Sequence, residues 1–264
     1  MRRGLALVLL LMAWSAASAS AHELPADKLR TVGFRQHIGD ALPLDLALRD
    51  ENDRPVALRD YFGTRPVVLT LNYFHCENLC SLELQGLVSG LNGVPFVLGD
   101  QYTLITVSFD ARETPAQAQT ARSRALRGYI HPQAADGWHV LTTTDQSTID
   151  ALTQAVGFDY LYDPLEDDYA HPAGVVVLTP AGEISRYLYG LDFSATDLRL
   201  ALVDAAAQRL GTLVDRALLV CYHYDAIAGR YTPLVLDLLK GAGAATLLVV
   251  GAGLAWMWRL ERRR

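Results

Sequence analysis

The chain has 264 residues, half of them apolar and a fifth charged, with a formal net charge of −6. That length allows one large or two small domains, and the acidic balance, with no basic patch interleaved with aromatics, excludes a nucleic-acid partner. Three cysteines are too few for a disulfide framework.

Residues 1–21 read as an export signal. Arg2 and Arg3 form the charged start, Gly4 to Trp14 the apolar core, and Ala19-Ser20-Ala21 a small-residue cleavage site. From Glu23 to Arg59 runs a lead-in. Leu42 to Leu48 and Val56-Ala57-Leu58 suggest short strands about a turn at Asp53-Arg54-Pro55. His37 in this lead-in reads as ordinary surface.

The stretch Pro66 to Leu91 carries the chemistry. Val67-Val68-Leu69-Thr70-Leu71 is an unbroken apolar run, the mark of a strand buried on both faces. Leu84, Leu87, Val88 and Leu91 then follow helical spacing. Between them lie His75, Cys76 and Cys80. Two thiols at i and i+4 near a helix start share one face and feel the positive end of the helix dipole. That field favours thiolate, a better nucleophile and a better metal ligand. Thiolates with an imidazole suit copper(I) or zinc. A structural disulfide and two buried thiols are the plainer readings, although closing so short a loop stabilises little. The spacing is CxxxC, not the CxxC of dedicated thiol oxidoreductases.

Tyr102 to Ser108 reads as a second buried strand. Thr114-Pro115-Ala116-Gln117 carries the signs of a helix start, with Thr114 as cap, and the helix runs to about Tyr129. Trp138 to Thr142 gives another strand and Asp145 to Val156 another helix. An acidic loop, Asp163 to Asp168, leads to Tyr169-Ala170-His171-Pro172. Val175 to Leu178 and Ile184 to Tyr189 form a hairpin around Pro180-Ala181-Gly182, and Ser194 caps a closing helix with Gly211 just past its end. Alternating strands and helices imply an α/β domain with a central, mainly parallel sheet and flanking helices. The domain covers residues 22–211 with its lead-in.

After a juxtamembrane segment, residues 212–240, Gly241 to Trp258 is eighteen residues without a charge, about the length needed to cross the hydrocarbon core. The arginine-rich tail, residues 259–264, belongs on the cytoplasmic side. Both ends point to a domain facing the periplasm, held in the inner membrane by one C-terminal transmembrane helix. The leftover Cys221, with His223 nearby, reads as a lipid-adjacent cysteine or a second copper-handling point.

Tyr73-Phe74-His75-Cys76-x-x-x-Cys80, Val107-Ser108-Phe109-Asp110-x-x-Glu113-Thr114-Pro115 and Ala170-His171, in that order, resemble the Sco/SenC family. The resemblance spans roughly Val32 to Arg209. It implies a thioredoxin-like fold and copper delivery to the dinuclear copper centre of cytochrome c oxidase, whose copper-bearing subunit is the expected partner. It also implies that Cys76, Cys80 and His171 are copper ligands, with Asp110 and Glu113 as architecture near the site. In such a fold the loop before the hairpin returns beside the helix start, where it brings His171; His75 then tunes or supports the site, and His131 and His139 are surface or packing residues. Glu77 and Ser81 stand where the family commonly has proline, and the charge of Glu77 opposes the helix dipole. For handing on copper the three ligands should sit in exposed loops. The rival reading is a thiol–disulfide oxidoreductase using Cys76 and Cys80 as its redox pair, without need of the histidine. A thiol peroxidase shares the fold, but no further signature supports it.

Overall fold

The computed structural model describes residues 25–75, 79–210, 222–225, 230–233 and 246. Val67–Asn72 (β4) and Thr103–Ser108 (β5) are buried at every position, as their apolar runs require. They pair in parallel from Val67↔Thr103 to Asn72↔Ser108, and β5 pairs in parallel with Trp138–Leu141 (β6). On the other side of β4 lies Gly174–Leu178 (β10), antiparallel to it and joined by a hairpin to Ile184–Tyr189 (β11). The order β11-β10-β4-β5-β6 makes the sheet mixed: β10 alone runs against the other four strands, so the mainly parallel sheet that the sequence suggested carries one antiparallel strand in its interior. β4, β5 and β6 run together because they are linked by helical crossovers, while β10 enters beside β4 from the opposite end of the sheet and the hairpin turns β11 back into the common direction.

The period-2 alternation along β4 divides the core into two layers. Val68 joins Leu87, Val88 and Leu91 of the helix Leu79–Asn92 (α2), Ala118 of Pro115–Leu126 (α3), and Leu198 and Leu202 of Ala195–Ala206 (α5). Val67, Leu69 and Leu71 face Ile149, Leu152 and Val156 of Gln146–Val156 (α4), together with Leu42, Leu48 and Leu58 from the lead-in. The lead-in itself is a helical turn at Ala26–Leu29 (α1) and three short strands, Gly33–Phe34 (β1), Ala47–Arg49 (β2) and Pro55–Ala57 (β3). β2 and β3 pair across a turn in which Asp50 Oδ1 accepts from the amides of Asn52 and Arg54. The strand is shorter than the Leu42–Leu48 run, and Pro55 belongs to β3 rather than to the turn.

Helix ends follow local chemistry. α3 opens with the expected capping box: Gln117 N–H donates to Thr114 Oγ1 and Thr114 N–H to Gln117 Oε1. It stops at Leu126, before Tyr129. α4 begins at the cap Asp145 and stops at Gly157, whose φ of +66° suits glycine. α5 ends at Ala206, and Gln208 takes the left-handed turn (φ +54°), so Gly211 is not its stop signal.

The acidic loop is the exposed turn, residues 164–167, of a hairpin in which Leu161–Asp163 (β8) pairs with Asp168–Ala170 (β9), just after Phe158–Asp159 (β7) pairs with β1. His37 is half-buried rather than ordinary surface: its N–H donates to Tyr187 Oη at 3.1 Å and its Nδ1 lies 3.1 Å from Ala155 O. Beyond the domain, Tyr222–Asp225 (β12), which includes His223, pairs with Arg230–Pro233 (β13). No helix among the described residues is long and apolar enough to cross a membrane. The signal stretch 1–21, Cys221 and, Thr246 apart, the segment Gly241 to Trp258 lie outside the described residues.

α2 sits tightly on the chain that leads into α5. A Cβ built on Gly86 would lie 1.8 Å from Leu191 O, and one on Gly90 would lie 2.2 Å from Phe193 O. Gly86→Ala should therefore cost about 1–3 kcal/mol from the forced backbone shift, against the roughly 1 kcal/mol that alanine adds to helix propensity. Urea denaturation checks this, with Ser89→Ala on the exposed face of α2 near neutral; equal midpoints for Gly86→Ala and the parent would contradict the close packing.

Candidate metal centre

The strands β4 and β5 end at the same edge of the sheet, and the site is built there. β4 runs out through Tyr73, Phe74 and His75 toward α2, whose second residue is Cys80. His171 directly follows β9. These two residues, 91 positions apart, meet with Cys80 Sγ 3.1 Å from His171 Nε2. The other ring nitrogen, Nδ1, lies 3.0 Å from Pro172 O. A carbonyl only accepts, so Nδ1 carries a proton, and in the neutral ring the Nε2 lone pair faces the sulfur. Fixing the tautomer through the far nitrogen is how proteins prepare an imidazole as a ligand.

Aromatic rings hold the imidazole in place. Tyr73, Phe109 and Phe158 surround it at centroid distances of 5.8, 5.4 and 6.1 Å. Tyr73 in turn donates its hydroxyl to Asp168 of β9. Cys80 and His171 are both buried, at 3% and 7% exposure, which corrects the expectation of ligands in exposed loops. Cys80 nevertheless is one of the residues that line a groove between α2 and α3.

Glu113 fastens the segment that precedes the first cysteine. Its side chain is fully buried. Oε1 accepts from the amides of Phe74 and His75 at 2.5 and 3.0 Å, while Oε2 accepts the Ser108 hydroxyl at 2.6 Å. Burial pushes this carboxyl above its ordinary value, partly offset by those hydrogen bonds. The His75 ring is exposed, its Nδ1 3.2 Å from Glu113 Oε1 and its Nε2 3.1 Å from the Gln117 amide nitrogen.

A second clamp fixes the β8–β9 hairpin that delivers His171. Arg112 donates to both oxygens of Asp110 and, at 2.5 Å, to Asp167, and its guanidinium lies over the rings of Tyr162 and Tyr169. Burial pushes the Asp110 carboxyl up, but the hydrogen bonds and charge of Arg112 outweigh it and hold Asp110 below its ordinary range. The acidic stretch is thus partly internal wiring. Sequence reasoning missed Tyr73, Phe158 and Arg112 as site-shaping residues. The signal was there in the alternation Phe158, Tyr160, Tyr162, which places aromatics on one face of a strand.

Of the three sequence-derived ligands, Cys80 and His171 are brought together, and Cys76 lies outside the described residues. Among the described residues no group of three or more His, Cys, Asp or Glu side chains is arranged to hold a metal ion. A sulfur and a lone-pair nitrogen in contact are nevertheless a soft donor pair, suited to copper(I) or zinc. His139 packs on Tyr61 at 4.5 Å, and burial lowers its pKa; His131 packs edge-on against Tyr129. Both match the packing role expected of them.

Residues 40–203 match the SCO1/SenC family model. The chain belongs to the SCO1/SenC family. Similar solved structures include a putative electron transfer protein from Aquifex aeolicus VF5, with 25% identity over 64% of this chain and 95% of that one at a TM-score of 0.57. A SCO1/SenC family lipoprotein from Bacillus anthracis shares the fold at 11% identity, over 66% of this chain and 99% of that one, with a TM-score of 0.53. The copper-bound ScoI of Arabidopsis thaliana does so at 16% identity, 65% and 99% coverage and a TM-score of 0.50. No curated protein matches the chain. Family membership carries with it the thioredoxin-like α/β fold, here with its mixed sheet.

Glu113→Ala should strand two amides and a hydroxyl and cost about 2–4 kcal/mol, whereas Glu113→Gln keeps a carbonyl acceptor and should cost about 1 kcal/mol. Because the folded carboxyl titrates above its ordinary 4.5, its favourable contribution is complete below that value and declines as pH rises through the folded pKa. The stability advantage of the parent over Glu113→Gln should therefore narrow on raising the pH from 4 to 8. Denaturation of the three proteins across that range checks both statements; an advantage that widens would contradict them.

Proposed function

We propose that this protein is a membrane-anchored, periplasm-facing copper carrier. It delivers copper to the dinuclear centre of cytochrome c oxidase or prepares the cysteines of that centre. The observation that carries the reading is the contact of Cys80 Sγ with Nε2 of His171 at 3.1 Å, with Nδ1 engaged by Pro172 O. Family membership supports it, since SCO1/SenC proteins bind copper and take part in cytochrome c oxidase assembly.

In this reading Cys76 and Cys80 bind as thiolates and His171 through Nε2. Uptake releases the two thiol protons. Copper is cargo, and it leaves by ligand exchange: a thiolate of the acceptor enters as one of the carrier's thiolates departs, with no change in oxidation state. The residues around the site keep the imidazole aimed and dry, so the ring has little ordering cost when the metal enters. The C-terminal helix Gly241 to Trp258 tethers the domain to the inner membrane near its acceptor.

A second reading, thiol–disulfide exchange by Cys76 and Cys80, is favoured by the Aquifex similarity to a putative electron transfer protein. One substitution separates the two. His171→Ala should reduce copper binding from one ion per chain to well below stoichiometric while leaving dithiol–disulfide exchange with glutathione within about twofold, because exchange needs only the sulfurs. Anaerobic copper titration and exchange kinetics read these. Full stoichiometry and unchanged affinity in His171→Ala would overturn the carrier reading.

A further inference from the structure

The groove that opens at Cys80 has a volume of about 470 Å³ and runs between α2 and α3 as far as Asn92 and Gly128. Asn92 lies twelve positions after Cys80 on α2, so the two lining residues are about 18 Å apart along the helix. Its floor is apolar, from Leu84, Val88, Ala121 and Ala125. Its far end is closed by Asn92, whose side chain donates to Gly128 O and accepts from Ile130 N–H. A smaller cleft of about 140 Å³ adjoins it, sharing Phe74, Ala121 and Arg124 and reaching His75.

The charge around this groove is unlike that of the chain. The protein is net acidic, yet α2 has one acidic residue, the fully buried Glu83, and α3 has none. Arg124 and Arg127 line the groove, both side chains exposed. Arg122, by contrast, is spent internally on the carbonyls of Trp138 and Ala135 and on Glu51. Among the described residues no carboxylate pairs with Arg124 or Arg127. An apolar trough with two uncompensated guanidinium groups on its rim, ending at a buried thiol, is complementary to a protein segment with an apolar side flanked by carboxylates.

We infer that the α2–α3 groove is the docking surface for the acceptor, which lays an acidic, amphipathic segment along it with apolar side chains against Val88 and Ala125 and carboxylates over Arg124 and Arg127. Docking there brings the acceptor's thiolates to Cys80. This rests on the carrier reading for what is transferred, but the docking itself needs no copper.

The test uses the full-length protein and, as probe, the copper-free soluble domain of the copper-bearing oxidase subunit. Its binding to the copper-free carrier is titrated at 50 and 300 mM salt, for the parent, for R124E/R127E and for S89W, which fills the groove from an exposed position without altering charge. Copper stoichiometry is measured separately on each. The parent should bind the probe more weakly at high salt. Both variants should bind it at least about tenfold more weakly at low salt, the double variant losing the salt dependence, while all three keep the same copper stoichiometry. Variants that bind the probe as tightly as the parent would overturn the inference, as happens if residues 211–264 of the chain itself fill the groove. So would a parent that does not bind the probe. If docking follows the predicted pattern but the parent takes up no copper, the carrier reading fails and the docking surface stands.

Discussion

Holding Cys80 Sγ and His171 Nε2 at 3.1 Å across 91 residues of chain is the requirement that the surrounding structure meets. One donor belongs to the start of α2, packed on the helical face of the sheet. The other belongs to the end of the β8–β9 hairpin, which packs by its aromatics against the opposite layer. Nothing local joins them. The sheet edge where β4 and β5 end is the common reference, and both donors are indexed to it. On the cysteine side, Glu113 binds the backbone that leaves β4; on the histidine side, Arg112 binds the hairpin. Both clamps come from the single segment after β5, so a shift in that segment moves both halves of the site together.

Each clamp uses a polar group taken out of water, which is costly unless its hydrogen bonds are complete. Glu113 is a fully buried carboxylate with accepted bonds on both oxygens. Asp110 is held charged by the arginine two residues away. The expense goes into position rather than net stability, because satisfied buried networks fix one geometry where apolar packing would tolerate several. The tautomer of His171 belongs to the same economy of geometry. Pro172 O takes the Nδ1 proton and the aromatic walls remove the ring's other orientations, so the lone pair has one direction left.

Much of this was legible in residue patterns. The runs at Val67 and Leu104 announce strands buried on both faces, and the Thr114–Gln117 box marks the start of α3, because in each case the signal and its cause lie within a few residues. What escaped depends on distant partners. The direction in which β10 joins β4 is not written in its apolar residues, so its single reversal within an otherwise parallel sheet was not foreseen. The acidic loop is exposed, as read, but its ties to Arg112 and Tyr73 escaped because they cross 55 and 95 residues. Burial of His171 was missed for the same reason, since it is made in part by Phe109 and Phe158 from elsewhere in the chain. The pairing of Cys80 with His171 was legible only through the family resemblance, not through spacing.

The most direct measurement is X-ray absorption at the copper edge on the anaerobically copper(I)-loaded protein. The account predicts a three-coordinate environment of two sulfurs and one nitrogen, with the outer-shell scattering of an imidazole ring. A first shell of sulfur alone, without the imidazole signature, would contradict it.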